Sequence, residues 1–110
     1  MVVHQLSNDE VDRVFQALAD ATRRDIVTRV INQEQSVSEL ASAYAMSFAA
    51  VQKHVAVLER ASLVTKQRRG REQIVMSDID TLRKAARLLD AYEEIWRGRA
   101  HRINDILSND

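Results

Sequence analysis

Apolar positions in this chain fall into a succession of helical stripes, then a short alternating stretch, then one long helical stripe. Val11, Val14, Phe15 and Leu18 are spaced i, i+3, i+4, i+7 behind Asn8-Asp9-Glu10, which predicts a helix over 8–19 with acid in its first turn. A second helix is expected from Thr22, with Asp25 three residues later as a short capping box and Ile26, Val27, Val30 and Ile31 as its buried face. Asn32-Gln33-Glu34-Gln35 reads as a polar loop. Ser38 is the expected cap of a third helix bearing Leu40, Ala41 and Tyr44, and after a break at Ala45-Met46, Ser47 caps a fourth bearing Val51, Val55 and Leu58.

Two short helices joined by a tight turn, the second opening on small and polar residues, form the pattern of a helix-turn-helix. The residues that follow sharpen it. Leu63–Arg68 and Arg71–Met76 read as two strands around Arg69-Gly70, where glycine supplies the positive φ of a tight hairpin. A hairpin with arginines at its tip, directly after a helix-turn-helix, is a wing. From Asp78 or Asp80 to about Leu107 the pattern is one long helix. Leu82, Ala86, Leu89, Trp96, Ala100, Ile103 and Leu107 form its stripe, broken by Glu93 and widened by Leu88, Tyr92, Ile95 and Ile106. Such a helix is ~40 Å long at ~1.5 Å per residue. That outruns a domain of this size, so a second copy is expected to cover part of the face in a two-fold dimer. The candidate residues on this helix are Leu82, Leu89, Tyr92, Trp96, Ile103 and Leu107. Gly98 marks either a close helix contact or a bend.

The expected fold is therefore mainly α with a two-stranded β-wing, in the order four helices, two strands, one helix. With 110 residues and 45% hydrophobic content the chain is expected to form one domain, 1–110. Formal net charge is zero, but residues 47–76 carry net +4 while 1–46 carry −3 and 77–110 carry −1. Local potential governs attraction to phosphate, so the concentrated positive charge keeps nucleic acid among the expected partners. There is no Cys, which excludes disulfides and thiolate metal sites. No apolar run approaches the ~20 residues of a membrane span, and Met1–Gln5 lacks the features of a signal peptide, so no membrane partner and a cytoplasmic location are expected.

With that order in place, the local sequences resemble the ArsR/SmtB family of bacterial winged helix-turn-helix repressors. The resemblance is carried by Leu18-Ala19-Asp20-Ala21-Thr22-Arg23-Arg24-Asp25-Ile26-Val27, by Ser36-Val37-Ser38-Glu39-Leu40-Ala41, by Met46 through Val64, and by Arg69-Gly70-Arg71 in the wing. It covers about residues 12 to 107, and the recognition-helix stretch is its most specific part. It implies a homodimer joined through the first and last helices, near 8–19 and 80–107, with Val11 and Phe15 as the candidate residues on the first, binding to an inverted-repeat operator in double-stranded DNA, and repression released by an unidentified inducer. Ala21 stands where the family often has Pro. Ser62 stands where it has Gly, so a different cap is expected at that helix end. Phe48 stands where a polar residue is common, and either touches thymine methyl groups or packs on the third helix.

The family's metal sensors use Cys at the third helix or Asp/His pairs on the last. Here His101, with Asp105 one turn on and Asp90 and Glu94 earlier, has no second His at the required spacing, and His4 and His54 come no closer to a site. No metal or other cofactor is expected. A phosphate-binding glycine loop, a nucleophile elbow and a metalloprotease His pair are all missing, and Glu93-Glu94 point apart on a helix, so no enzyme activity is expected.

Candidate DNA contacts follow by residue type. Ser47 at a helix N-terminus suits a phosphate or the cap itself. Ala49 and Ala50 permit close approach to the major groove, and Gln52 and Lys53 suit base edges. His54 either braces the motif or touches phosphate, and Arg68, Arg69 and Arg71 would position the wing. Two other readings stay open: a winged-helix module that binds a protein partner, and a general nucleoid-type DNA binder.

Overall fold

The computed structural model describes residues 6–108; His4 lies outside them. Its elements are α1 (Asn8–Leu18), α2 (Ala21–Asn32), β1 (Gln35–Ser36), α3 (Val37–Ser42), α4 (Phe48–Arg60), β2 (Val64–Arg69), β3 (Glu72–Ser77) and α5 (Ile79–Ser108). This is a winged helix-turn-helix, and the expected helices and wing are all present. The additional strand, β1, comes from the end of the polar loop. It pairs antiparallel with β3 through Gln35↔Val75 and Ser36↔Ile74, so that β3 is central in a sheet ordered β1-β3-β2.

Each of the first four helices starts at a side-chain oxygen that takes up one of the free N–H groups of its first turn. Ser7 and Glu10 form a reciprocal capping box on α1, as do Ser36 and Glu39 on α3, while Ser47 caps α4 through the Ala50 N–H at 3.1 Å. Two caps differ from expectation. α2 is capped by Asp20, which accepts from the Arg23 N–H at 3.0 Å, rather than starting at Thr22. α3 is capped by the buried Ser36 rather than by Ser38, because only Ser36 has a glutamate three residues on to complete the box. Tyr44 consequently lies beyond α3, in the turn that leads to α4.

The core is formed by Val14 and Ala17 of α1, Ile26, Val27 and Val30 of α2, Val37 and Leu40 of α3, Val51, Val55 and Leu58 of α4, and Val75 of β3. Ile31 was expected in this set but is 49% exposed. It follows Val30 by ~100° around the helix and falls off the edge of the buried face.

α4 ends in a full Schellman motif. The Ser62 N–H bonds to the Glu59 carbonyl at 3.0 Å, and the Leu63 N–H to the Leu58 carbonyl at 3.0 Å, with Leu58 and Leu63 both buried. The expectation of a different cap is thus corrected. The geometry is the glycine-type one, and Ser62 adopts φ +60° to make it. In the wing, Arg69 pairs with Glu72, so the two-residue turn is Gly70-Arg71, one position later than predicted. Gly70 has φ +62° and Arg71 does not have positive φ, the pattern of a type II′ turn.

α5 packs on the domain through Thr81, Ala85 and Leu88, with Leu82 half-buried beside them. Beyond Leu88 its large apolar side chains are exposed. Its 30 residues extend ~45 Å. They stretch the molecule to 70 × 28 × 23 Å with a radius of gyration of 18.8 Å, against ~13 Å for a compact chain of similar length.

Left-handed backbone costs a side-chain-bearing residue roughly 1–2 kcal/mol, so Ser62→Gly is expected to stabilise the fold by about 1 kcal/mol, offset in part by greater freedom of the unfolded chain. Thermal unfolding should show a midpoint several degrees higher. An unchanged or lowered midpoint would contradict the assigned cap.

Candidate nucleic-acid interface

α4 buries Val51, Val55 and Leu58 and turns its opposite face to solvent. Ser47, Phe48, Ala49, Gln52 and Lys53 are exposed, and Ala50 is half-buried. Phe48 is 47% exposed. The positive end of the α4 dipole lies at Ser47, whose Oγ is already engaged by the Ala50 N–H.

The wing follows in direct packing contact, since β2 lies against α4. Its cations differ in how far they are engaged. Arg69 is held by both carboxylate oxygens of Glu34, which lies between α2 and β1. Lys66 lies 3.4 Å from Glu59. Arg68 donates through Nε to the Gly70 carbonyl at 3.2 Å, which shapes the turn while leaving its charge uncompensated. Among the described residues, Lys53, Arg60, Arg68 and Arg71 form no salt bridge. Lys53 and Arg60 lie on α4 and Arg68 and Arg71 at the wing, so this part of the surface carries unpaired positive charge, which suits a polyanion.

His54 is placed differently from its neighbours. Its Nδ1 lies 3.2 Å from Arg23 Nη1 and 3.9 Å from Asp20 Oδ2, directed at the junction of α1 and α2. The Asp20 carboxyl is held below its usual range, first by the Arg23 backbone N–H and then by the nearby Arg23 charge.

A second group absent from the sequence reading fixes the turn between α3 and α4. The Tyr44 hydroxyl donates to Asp25 Oδ2 at 2.5 Å, Arg29 Nε donates to the same oxygen at 2.8 Å, and the Arg29 guanidinium sits 5.4 Å from the Tyr44 ring centroid. Burial pushes the Tyr44 phenol up to about 12, reinforced by the Asp25 bond and charge and opposed by Arg29. The Asp25 carboxyl is correspondingly lowered, first by Tyr44 and then by Arg29. Tyr44 and Asp25 lie far apart in sequence, and no local periodicity signals their meeting.

The candidate interface residues on α1 and α5 are not brought into one cluster within the chain. Val11 is half-buried and Phe15 exposed on α1, whereas Leu89, Tyr92, Trp96, Ile103 and Leu107 stand exposed along α5, Trp96 at 64%. A Cβ added at Gly98 would lie 3.6 Å from the Arg102 guanidinium, an ordinary contact within the same helix. His101 Nε2 lies 3.4 Å from Asp105 Oδ2 in a solvent-exposed i, i+4 pair, while Asp90 and Glu94 line a shallow depression with Arg87 and Ala91. No helix among the described residues is long and apolar enough to cross a membrane.

Comparison with known proteins points one way. A family model described as a helix-turn-helix domain matches residues 18–67. The chain is 42% identical over 67 residues to the HTH-type transcriptional regulator Rv2034 of Mycobacterium tuberculosis, a match spanning 61% of this chain and 63% of that protein, just under two thirds of its length. It superposes on an ArsR-like transcriptional regulator from Rhodococcus sp. RHA1 with a TM-score of 0.79 and 35% identity, covering 89% of this chain and 92% of the other. A homodimeric winged helix-turn-helix DNA-binding domain, Mb0332 from Mycobacterium bovis, described as a possible ArsR-family regulator, superposes with a TM-score of 0.64 and 26% identity over 86% of this chain and 92% of its own.

The Tyr44 cluster gives a pH test of the turn that sets α4. In a Tyr92→Phe background, Tyr44 should remain protonated at about pH 11, where a free phenol of pKa ~10 is mostly ionised. A phenol raised in the folded state contributes stability fully below pH ~10 and loses it as pH climbs through about 12. Tyrosinate absorbance developing near pH 10 in still-folded protein would show that the cluster does not hold in solution.

Proposed function

Since the chain belongs to the ArsR/SmtB family of winged helix-turn-helix transcriptional regulators, we propose that it represses transcription as a homodimer bound to an inverted-repeat operator in double-stranded DNA. The carrying observation is the solvent-facing side of α4, bearing Gln52 and Lys53 beside a wing whose Arg68 and Arg71 have no acidic partner among the described residues. That arrangement supplies both parts a DNA reader needs: donors for base edges and separate cations for phosphates.

In this reading α4 enters the major groove. Ala49 and Ala50 permit close approach, Lys53 addresses guanine and Gln52 addresses adenine. The half-exposed Phe48 favours contact with thymine methyl groups over burial against α3. Ser47 presents the helix N-terminus to a phosphate. Arg71 and Arg68 hold the flanking backbone, and Arg69 divides its charge between DNA and Glu34. His54, turned toward Arg23, serves as a brace rather than a base contact.

Dimerisation would cover the exposed stripe Leu89, Tyr92, Trp96, Ile103 and Leu107 together with Val11 and Phe15 of α1, Leu82 contributing only what its own core leaves uncovered. The homodimeric state of the Mycobacterium bovis domain supports this. The whole of 1–110 would then act as one cytoplasmic DNA-binding unit, a regulator rather than a catalyst, whose release from DNA follows a signal still to be identified.

Binding titrations on fragments selected from the source genome, at salt from about 50 to about 200 mM, test these roles. Lys53→Ala should flatten the preference for operator over competitor DNA. Arg71→Ala should weaken all duplexes alike and reduce the salt slope by about 1, and Arg69→Ala should do so by less. Equal effects of the Lys53 and Arg71 changes on preference and slope would contradict the assignment.

A further inference from the structure

Arg23 stands where three helices meet, and its guanidinium is spent on holding them together. Nε donates to the Ala17 carbonyl at 2.7 Å and Nη2 to the Gln16 carbonyl at 3.1 Å. Both carbonyls belong to the last turn of α1, where helical N–H groups run out; that of Gln16 also accepts from the Ala19 N–H at 3.3 Å. Nη1 reaches across to His54 Nδ1 on α4 at 3.2 Å, while the backbone N–H of Arg23 is taken by the Asp20 cap. Arg24 adds a parallel tie, Nη1 to the Leu18 carbonyl at 2.8 Å.

The chemistry of the pair restricts the tautomer that this contact admits. A guanidinium has donors and no acceptor, so Nδ1 of His54 must be the acceptor and the ring proton must sit on Nε2. A ring carrying protons on both nitrogens would set an N–H against an N–H. Asp20 at 3.9 Å is too distant to take that proton in a hydrogen bond.

We propose that Arg23 is a positioning residue for the DNA-reading surface: it locks His54 in the Nε2–H form and fixes α4 against the end of α1. Because α1 also carries Val11 and Phe15 of the proposed dimer face, this strut sets the distance of each reading helix from the two-fold axis. Arg23 itself has its donors directed inward and contributes no phosphate contact. The affinity part of this inference rests on the DNA-binding reading; the tautomer part does not.

Long-range 1H–15N correlation spectra of the intact protein at neutral pH read the tautomer directly. The expected result is an Nε2–H imidazole at His54; an Nδ1–H or doubly protonated ring overturns the strut. On DNA, Arg23→Lys keeps the charge but not the rigid fork. It should lower operator affinity about tenfold, within the range produced by residues remote from a ligand, while leaving the salt slope as in the unaltered protein. A slope reduced by about 1 would mean that Arg23 touches phosphate and would overturn the proposal.

His54→Ala should cost the same, and the double change no more than either alone; additive losses would show two independent roles. Should Arg23→Lys fail to fold, His54 variants decide alone. The side-chain oxygen of His54→Asn can occupy the place of Nδ1, so affinity should be retained there and lost in His54→Ala. Equal loss in both would point to a direct Nε2–H contact with DNA and overturn the strut. If the unaltered protein binds no duplex at all, the DNA reading falls while the ring spectrum still reports on the junction.

Discussion

The arrangement rests on an apolar surface that the chain cannot bury by itself. α5 touches its own domain through only its first turns, at Thr81, Ala85 and Leu88, and then runs on with Leu89, Tyr92, Ile95, Trp96, Ile103, Ile106 and Leu107 in water. Soluble proteins rarely leave an apolar surface of that extent uncovered. Burial of apolar area at roughly 25 cal/mol per Å² gives a second copy a large incentive to cover it. In the proposed dimer, the same contact that stabilises a small domain also duplicates the reading helix with two-fold symmetry, so that stability and recognition of an inverted repeat have one origin.

The reading surface depends in turn on how firmly α4 is held. Three buried residues on one face, Val51, Val55 and Leu58, fix its roll about its axis and leave Gln52 and Lys53 outward. Its two ends and middle are then tied separately: Ser47 at the start, the Ser62 cap at the end, and His54 to Arg23 in between. The Tyr44–Asp25–Arg29 cluster holds the turn before it. Surface ion pairs of this kind contribute little to stability singly, about 0–1 kcal/mol, but a direction-specific set can fix an orientation. Net charge plays no part. A neutral chain presents free cations because Glu34 and Glu59 engage only Arg69 and Lys66, leaving Lys53, Arg68 and Arg71.

Much of this was legible in the sequence because the signals are local. Helical spacing of apolar residues located all five helices, Ser47 announced α4, and the basic hairpin after it announced a wing. The misses have physical causes. Ser38 and Ser36 are both good caps in isolation, and only the reciprocal bond to Glu39 selects Ser36. At α2, Asp20 takes the Arg23 N–H without a reciprocal bond, and Thr22 falls inside the helix. β1 is two residues long, too short to show alternation, and exists because β3 offers it an edge. Ser62 looked like a departure from glycine geometry, yet the packing of Leu63 on Leu58 enforces that geometry regardless of the side chain. The ties from Arg69 to Glu34, Tyr44 to Asp25 and Arg23 to His54 span 35, 19 and 31 residues, distances at which pattern along the chain carries no information.

The claim that everything else leans on is the pairing of two chains, and sedimentation equilibrium measures it without reference to DNA. At the concentrations where the protein retards operator fragments, the account predicts twice the 12.5 kDa mass of the chain, falling to the single mass when Trp96 is changed to Glu. A single-chain mass for the unaltered protein under those conditions would contradict it.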